Sequence, residues 1–201
     1  MRLDKDLERL FNMLDNKIGK GEYTVFLTAD HGAPYVPAYL KSHKIPAGLL
    51  NFNQVKIDLN ELLLSKFDVA NLVLKISNEQ VFLNHEIIAN NNLDLDSVED
   101  VVTNKLLTYN MVNKVFKGSV VNNSAFQNGV EYLLKNGYNQ KRSGDILIIM
   151  EPSVFSDGPW NKKGTDHGSG YVYDTHVPLL FFGNGIKQGQ TYKRTEIIDV
   201  A

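Results

Sequence analysis

Residues 24–32 constrain the fold of this chain more than any other stretch, because an apolar run leads directly into polar residues. The stretch reads Thr-Val-Phe-Leu-Thr-Ala-Asp-His-Gly. A short run of β-branched and aromatic residues predicts a strand buried on both faces, as in a parallel sheet. In open α/β sheets the functional groups follow the carboxyl ends of strands, which is where Asp30 and His31 lie. Gly32 then provides a backbone position that turns easily.

Asp30 and His31 together favour a divalent metal ion as their ligand. An ionised carboxylate beside an apolar strand is costly to bury unless a cation or a donor pairs with it. Carboxylate oxygen and imidazole nitrogen are both common zinc ligands. Two strand-end residues without a function are the alternative at this stage. Thr28, the nearest hydroxyl, is interpreted as a β-branched packing residue rather than as a nucleophile.

The rest of the chain predicts an α/β protein with a mainly parallel sheet and flanking helices. We expect 1–50 and 143–201 to form the core and 51–142 to be an α+β insertion. Prolines make 33–50 irregular, and a long polar loop is predicted over 151–175. Apolar spacing predicts helices over 2–18, 59–66, 97–108 (capped by Asp94 or Asp96), 125–136 and 195–201, and strands over 23–29, 54–57, 71–76, 80–84, 112–116, 145–150 and 177–182. The strands over 145–150 and 177–182 are predicted to be buried, like the strand over 23–29. The runs 71–76 and 80–84 flank a Ser77-Asn78-Glu79 turn, which predicts a hairpin.

Composition excludes several classes of protein. Of 201 residues, 43% are hydrophobic and 22% are charged, with a net charge of −2. These values are typical of a globular domain and give no general attraction to nucleic acid or to anionic membranes. The absence of cysteine excludes disulfides, thiolate metal sites and a cysteine nucleophile. The chain begins directly in an amphipathic helix and ends just after an apolar pair, so we expect both ends to be cut from a larger protein.

A second stretch, residues 164–183, contains two histidines and two acids framed by glycines. It reads Gly-Thr-Asp-His-Gly-Ser-Gly-Tyr-Val-Tyr-Asp-Thr-His-Val-Pro-Leu-Leu-Phe-Phe-Gly. A long loop within a compact domain usually carries function. His167 is therefore interpreted as a metal ligand, with a solvent-facing loop histidine as the alternative. His176 precedes the last predicted strand, so we favour packing or support of a ligand over direct binding of the ion.

Taken together, the two stretches resemble the alkaline phosphatase superfamily. They are most similar to the phosphate-irrepressible, PafA-like bacterial alkaline phosphatases, which are close relatives of nucleotide pyrophosphatase/phosphodiesterases. The resemblance implies an α/β fold with two zinc ions in one site. It places Asp30 and His31 on the zinc nearest the nucleophile and His167 on the other zinc. It also implies attack on phosphorus by a Thr or Ser, with a covalent phosphoenzyme and two metals acting together.

In that family the nucleophile and the remaining metal ligands precede the matching region. We therefore assign no catalytic nucleophile in this chain and expect a C-terminal fragment that is inactive alone, with zinc weakly bound or absent. The expected substrates of the parent are small-molecule phosphate monoesters, without a nucleic-acid or membrane partner. By family resemblance the parent would be periplasmic or secreted. Apolar surface at the chain ends is expected to promote self-association.

Two alternatives stay open from the sequence. The same fold could hydrolyse phosphodiesters, as a nucleotide pyrophosphatase does, or sulfate esters, as a sulfatase-like enzyme does. The groups that would decide between them lie upstream of the matching region. A non-catalytic α/β binding module is the alternative from another class, and it predicts a chain without exposed apolar surface.

Overall fold

The computed structural model describes residues 2–157 and 164–200. The chain divides into two compact units, which are Met1–Asp30 with Val177–Ala201 and His31–His176. These boundaries do not follow the predicted ones at 50 and 143, because strand 146–150 shares its sheet with strands of the predicted insertion. Whether 51–142 is an insertion in an α/β core stays a prediction.

The strands along the chain are β1 (Thr24–Thr28), β2 (Gly48–Leu50), β3 (Val73–Ser77), β4 (Gln80–Leu83), β5 (Val112–Lys117), β6 (Ile146–Met150), β7 (Val154–Ser156) and β8 (Leu179–Gly183). The helices are α1 (Arg2–Lys17), α2 (Pro37–Ser42), α3 (Phe52–Phe67), α4 (His85–Asn90), α5 (Leu95–Leu106), α6 (Gly118–Asn123), α7 (Gly129–Gly137) and α8 (Val172–Thr175), and a 3₁₀ turn follows at Ile197–Val200. Within the described residues, no helix has the length and apolar character needed to cross a membrane.

The smaller unit consists of α1 and an antiparallel pair formed by β1 and β8. Phe11 of α1 lies against Phe182 of β8, with ring centroids 5.0 Å apart. The prediction that β1 and β8 are buried strands is wrong, since Phe26 and Leu180 are 54% and 58% exposed. Two paired strands offer too few neighbours to bury an apolar run on both faces.

The larger unit is built around a four-stranded sheet in the order β3-β4-β6-β5. Its neighbouring strands all pair antiparallel. Central strand β6 is buried at every position, as predicted. Helices α3 and α5 supply fully buried side chains to the same core, among them Leu59 and Val102. The predicted mainly parallel pairing is found, among the described strands, only between β2 and β7.

Local signals explain where the elements agree with the predictions and where they differ. The hairpin of β3 and β4 and the Asp94 cap of α5 are confirmed. The predicted strand 54–57 is wrong, because the Asn51 side chain accepts from the Gln54 N–H and caps α3 instead. Further differences are α2 and β2 within 33–50, the missed helices α4 and α6, β7 and α8 within the predicted loop, and a 3₁₀ turn in place of the last helix. The predicted helix over 125–136 is found as the shorter α7, Gly129–Gly137.

Candidate functional site

Two of the predicted metal ligands, His31 and His167, lie face to face. Their ring centroids are 3.5 Å apart and their planes differ by 6°. His31 is half-buried and His167 is exposed. The two residues are far apart in the sequence and belong to the same unit of the fold. The larger unit therefore brings the two predicted motifs together at one place.

Gly32 brings the two motifs into contact through the main chain. Its N–H donates to the Asp174 carbonyl at 2.7 Å. A Cβ atom at position 32 would lie only 2.1 Å from the Tyr173 carbonyl oxygen, so any side chain would push the two segments apart. The sequence suggested this glycine for a turn. The structure shows that close approach of two backbones is the reason for it.

The Asp174 side chain connects the same place to the turn after His167. Asp174 is 3% exposed. Its Oδ2 accepts from the Ser169 N–H at 2.8 Å and from the Ser169 hydroxyl at 2.6 Å. Its Oδ1 is buried and has no hydrogen-bond partner within the described part of the chain. One residue thus binds the segment of His31 through its carbonyl and the loop of His167 through its carboxylate.

The loop of His167 is held at a second point on its other side. The Thr165 hydroxyl donates to the Pro34 carbonyl at 2.6 Å, three residues after His31. The Asp166 Oδ1 accepts from the His167 N–H at 2.9 Å. Because the loop is bound before and after His167, the two imidazole rings have little freedom to separate. A site whose side chains are held in place by such contacts is suited to binding and catalysis.

The hydrogen bonding of His31 is compatible with metal binding. Its Nδ1 lies 2.8 Å from the Gly32 carbonyl oxygen. A carbonyl only accepts, so Nδ1 carries the hydrogen and the neutral ring has its lone pair on Nε2. Metal-binding histidines commonly donate from the other ring nitrogen in this way.

The stacking of the two rings limits how they could share one ion. Imidazole lone pairs lie in the ring plane, so two stacked rings cannot both point at an ion between them. Among residues 2–157 and 164–200, no group of three or more His, Asp or Glu side chains is arranged to hold a metal ion. His31 and His167 are therefore the part of the predicted ligand set that the structure brings together.

Other predicted residues are placed as follows. Asp30 is exposed and is the last residue of the first segment of the smaller unit, and its role as a metal ligand stays a prediction. His176 is exposed at the end of α8, and its supporting role stays a prediction as well. Thr28 is half-buried within β1, as a packing residue would be. The structure thus brings together one histidine from each motif.

Two cavities of the larger unit adjoin His167. The first has a volume of about 320 Å³, and α7, β6 and the loop of His167 supply much of its wall. The second has a volume of about 560 Å³ and is lined by more polar residues, including Asp157 and Asp166. His167 and Glu79 line both cavities. The imidazole of His167 is therefore accessible from two differently lined spaces.

Glu79 is the residue near the site that sequence reasoning missed. Burial, and to a lesser extent the charge of Asp166, raises the pKa of Glu79. Asn78 and Glu79 form the turn between β3 and β4 with φ values of 50° and 55°. Such turns favour Asn-Gly, since both central residues need positive φ. A glutamate where glycine is preferred was the signal that could have identified this position.

The chain is similar to known proteins along its whole length. The model of the family described as type I phosphodiesterase / nucleotide pyrophosphatase matches residues 1–171. Alkaline phosphatase PafA of Elizabethkingia meningoseptica is 39% identical over 201 residues, which are 100% of this chain and 36% of that protein. A protein of Myroides odoratus named calcium-transporting ATPase is 42% identical over 205 residues, again 100% of this chain and 36% of the relative.

A solved structure shows the same fold. The crystal structure of wild-type alkaline phosphatase PafA matches with a TM-score of 0.91 and 40% identity, over 100% of this chain and 38% of that chain. The match lies in the C-terminal portion of PafA. The predicted α/β class and the resemblance to PafA-like alkaline phosphatases are thereby confirmed. The chain spans little more than a third of the length of these relatives. Since the family model covers most of its residues, this chain belongs to the type I phosphodiesterase / nucleotide pyrophosphatase family.

Proposed function

We propose that this chain is the C-terminal part of a zinc-dependent alkaline phosphatase that hydrolyses phosphate monoesters. The observation that carries the proposal is the stacked pair of His31 and His167, with ring centroids 3.5 Å apart. Relatives named alkaline phosphatase, which the chain matches along its whole length, support the choice of reaction.

In this proposal the chain supplies ligands and their supports. His31 and His167 bind one ion each through ring nitrogens, and Asp30 joins His31 on the same ion. Two bound zinc ions would stabilise the attacking and departing oxygens of the phosphoryl group. The Gly32 and Asp174 contacts keep the imidazoles at a fixed separation. The nucleophile, a Thr or Ser that becomes phosphorylated, comes from residues outside this chain.

The test uses the longer polypeptide obtained by reading the coding sequence upstream of Met1. We expect His31→Ala, His167→Ala and Asp30→Ala each to lower kcat/KM for 4-nitrophenyl phosphate by about 100-fold or more and to lower the zinc content measured by mass spectrometry. His43→Ala is the matched control, because this exposed histidine ends α2 and contacts Tyr39. Full activity and full zinc content in the His31 and His167 variants would refute the proposal.

Phosphodiester hydrolysis is the second candidate, because the family model is described by that activity. The two reactions are separated by comparing kcat/KM for bis(4-nitrophenyl) phosphate and 4-nitrophenyl phosphate in the same preparation. A monoester enzyme prefers the second substrate, whereas a diesterase prefers the first. Parallel assays with 4-nitrophenyl sulfate test the sulfatase-like alternative, and inactivity on all three esters would favour a non-catalytic module.

We further propose that the 201-residue chain alone binds zinc weakly and does not hydrolyse esters, because its described residues complete no three-ligand cluster. Equilibrium dialysis against zinc measures the first point. The parent is proposed to act on small-molecule phosphate esters in the periplasm or outside the cell, without a nucleic-acid or membrane partner. Cell fractionation of the native host with an antibody to this chain tests the location.

A further inference from the structure

The smaller of the two cavities beside His167 is lined by apolar side chains of α7 and β6 and by polar side chains elsewhere. Its volume of about 320 Å³ lies at the lower end of the range for small-molecule sites, about 300–1,000 Å³. An engineered apolar cavity of only about 150 Å³ accommodates benzene. His167 and Asp166 line the cavity, and so do Val130, Leu133 and Leu134 of α7. The space is therefore large enough for an aryl or alkyl group next to the imidazole.

Helix α7 is packed directly against the loop that carries His167. A Cβ atom at Gly170 would lie 2.7 Å from Val130 Cγ1 and 3.4 Å from Leu133 Cδ1. Glu131 of the same helix forms an ion pair with Lys114 of β5. These contacts keep α7 close to the loop, so a group seated against α7 has a defined position relative to His167.

The α7 side of the cavity favours an apolar occupant. The residues that line it there, Val130, Leu133 and Leu134, have no polar side-chain group. The Tyr171 hydroxyl donates to the Met150 carbonyl at 2.8 Å and is therefore already engaged. The hydroxyl groups of a polyol placed against α7 would lose water without gaining equivalent hydrogen bonds, which is costly.

From these observations we infer that the cavity binds the apolar alcohol part of a phosphate monoester, with Leu133 of α7 as a specificity-determining residue. The inference rests on the proposed phosphatase activity and adds the substrate class. The preferred substrates are phosphate esters of alkyl or aryl alcohols, ahead of sugar phosphates and nucleotides. The alcohol portion lies along α7 while the phosphoryl group lies on the side of His167.

The test is a series of n-alkyl phosphates in the longer polypeptide, because the leaving groups have similar reactivity and differ mainly in apolar length. We expect kcat/KM to rise about 10-fold or more from ethyl to n-hexyl phosphate. Leu133→Asn should reduce this hexyl-to-ethyl ratio at least about 5-fold. Leu64→Asn is the control, since Leu64 lies on α3, is 46% exposed and does not line the cavity.

Binding without turnover provides a second measurement that needs no variant. In isothermal titration of the same polypeptide, n-hexylphosphonate should bind at least about 10-fold more tightly than ethylphosphonate. Equal rates across the series together with equal phosphonate affinities would overturn the inference and leave the phosphatase proposal intact. An identical hexyl-to-ethyl ratio in Leu133→Asn and Leu64→Asn would overturn it as well. Absence of hydrolysis of every phosphate ester would instead refute the proposed function.

Discussion

Strand β6 and the pair β1–β8 contain apolar runs that read alike in the sequence and have different surroundings. β6, Ile-Leu-Ile-Ile-Met, is buried along its whole length. In the pair β1–β8, Phe26, Leu180 and Phe182 are all more than half exposed. β6 has a strand on either side and shares a core with α3 and α5, whereas β1 and β8 pair only with each other among the described strands. An apolar run thus predicts a strand, and its neighbours decide whether it is buried.

The strongest test of this contrast compares equivalent truncations in the two regions. Ile146→Ala in β6 should lower the free energy of unfolding by about 2–5 kcal/mol, because Ile146 is fully buried and the change leaves a cavity. Phe181→Ala in β8 should lower the free energy of unfolding clearly less, since Phe181 is 45% exposed. Denaturation in guanidinium chloride, followed by circular dichroism, measures both. Equal losses of unfolding free energy in the two variants would contradict the contrast between β6 and β8.

A glycine substitution sharpens the comparison, since it tests a backbone contact of the larger unit rather than a buried side chain. Gly32→Ala should destabilise by about 1–3 kcal/mol, because the new Cβ displaces the Tyr173 carbonyl and breaks the bond to Asp174. Gly137→Ala is the matched control, since among the described residues nothing beyond its chain neighbours and its own helix lies within 4 Å of the added Cβ. Thermal unfolding gives the difference. In the longer polypeptide, Gly32→Ala should also lower the zinc content, because His31 and His167 separate.

Glu79 is a locally unfavourable residue within the larger, well-packed unit. Glu79→Gly should stabilise the fold by about 1 kcal/mol, because glycine suits φ = 55° and the half-buried carboxylate is removed. Glu79→Gln removes the charge and keeps a non-glycine residue at positive φ, so it separates the effect of the charge from that of the backbone. A smaller gain for Gln than for Gly would show that the turn contributes. No gain in either variant would contradict the interpretation.

The pH dependence of stability follows from the raised pKa of Glu79. The folded state keeps this proton to higher pH than the unfolded state does, so stability falls as pH rises through the raised pKa. Below about pH 4, near the ordinary glutamate value, both states are protonated and the penalty is absent. Glu79→Gln should therefore flatten the fall in unfolding free energy between about pH 4 and neutral pH. Unchanged curves would show that Glu79 titrates normally.

The smallest effect on stability is expected at the surface of β8. Leu180→Lys should change the free energy of unfolding by less than about 0.5 kcal/mol, because Leu180 is 58% exposed. We expect the same change to reduce self-association of the 201-residue chain in sedimentation velocity, since it places a charge on an exposed apolar strand. Leu74→Lys in β3, where Leu74 is 56% exposed, is the control. A monomeric wild-type chain at high concentration would contradict this prediction.

Sequence reasoning worked where the signal is local. The Ser-Asn-Glu turn between two apolar runs predicted the hairpin, and Asp94 predicted the start of α5. It also selected His31 and His167, which the structure brings together. It missed the burial of Glu79 and the contact between the Asp174 carbonyl and the Gly32 N–H, because both depend on residues distant in the sequence. Strand 54–57 was wrong because the Asn51 cap outweighed the apolar run.

The sequence by itself determined the strand-forming runs, the helix caps and turns, and the two motifs that contain the candidate ligands. These depend on side-chain type, spacing and backbone preference within a few residues. Only the tertiary structure decided that β6 is buried while β1 and β8 are largely exposed, that Gly32 allows two backbones to touch, and that a cavity lined in part by α7 adjoins His167. Burial and close approach depend on which distant segments meet, and short-range preferences do not contain that information.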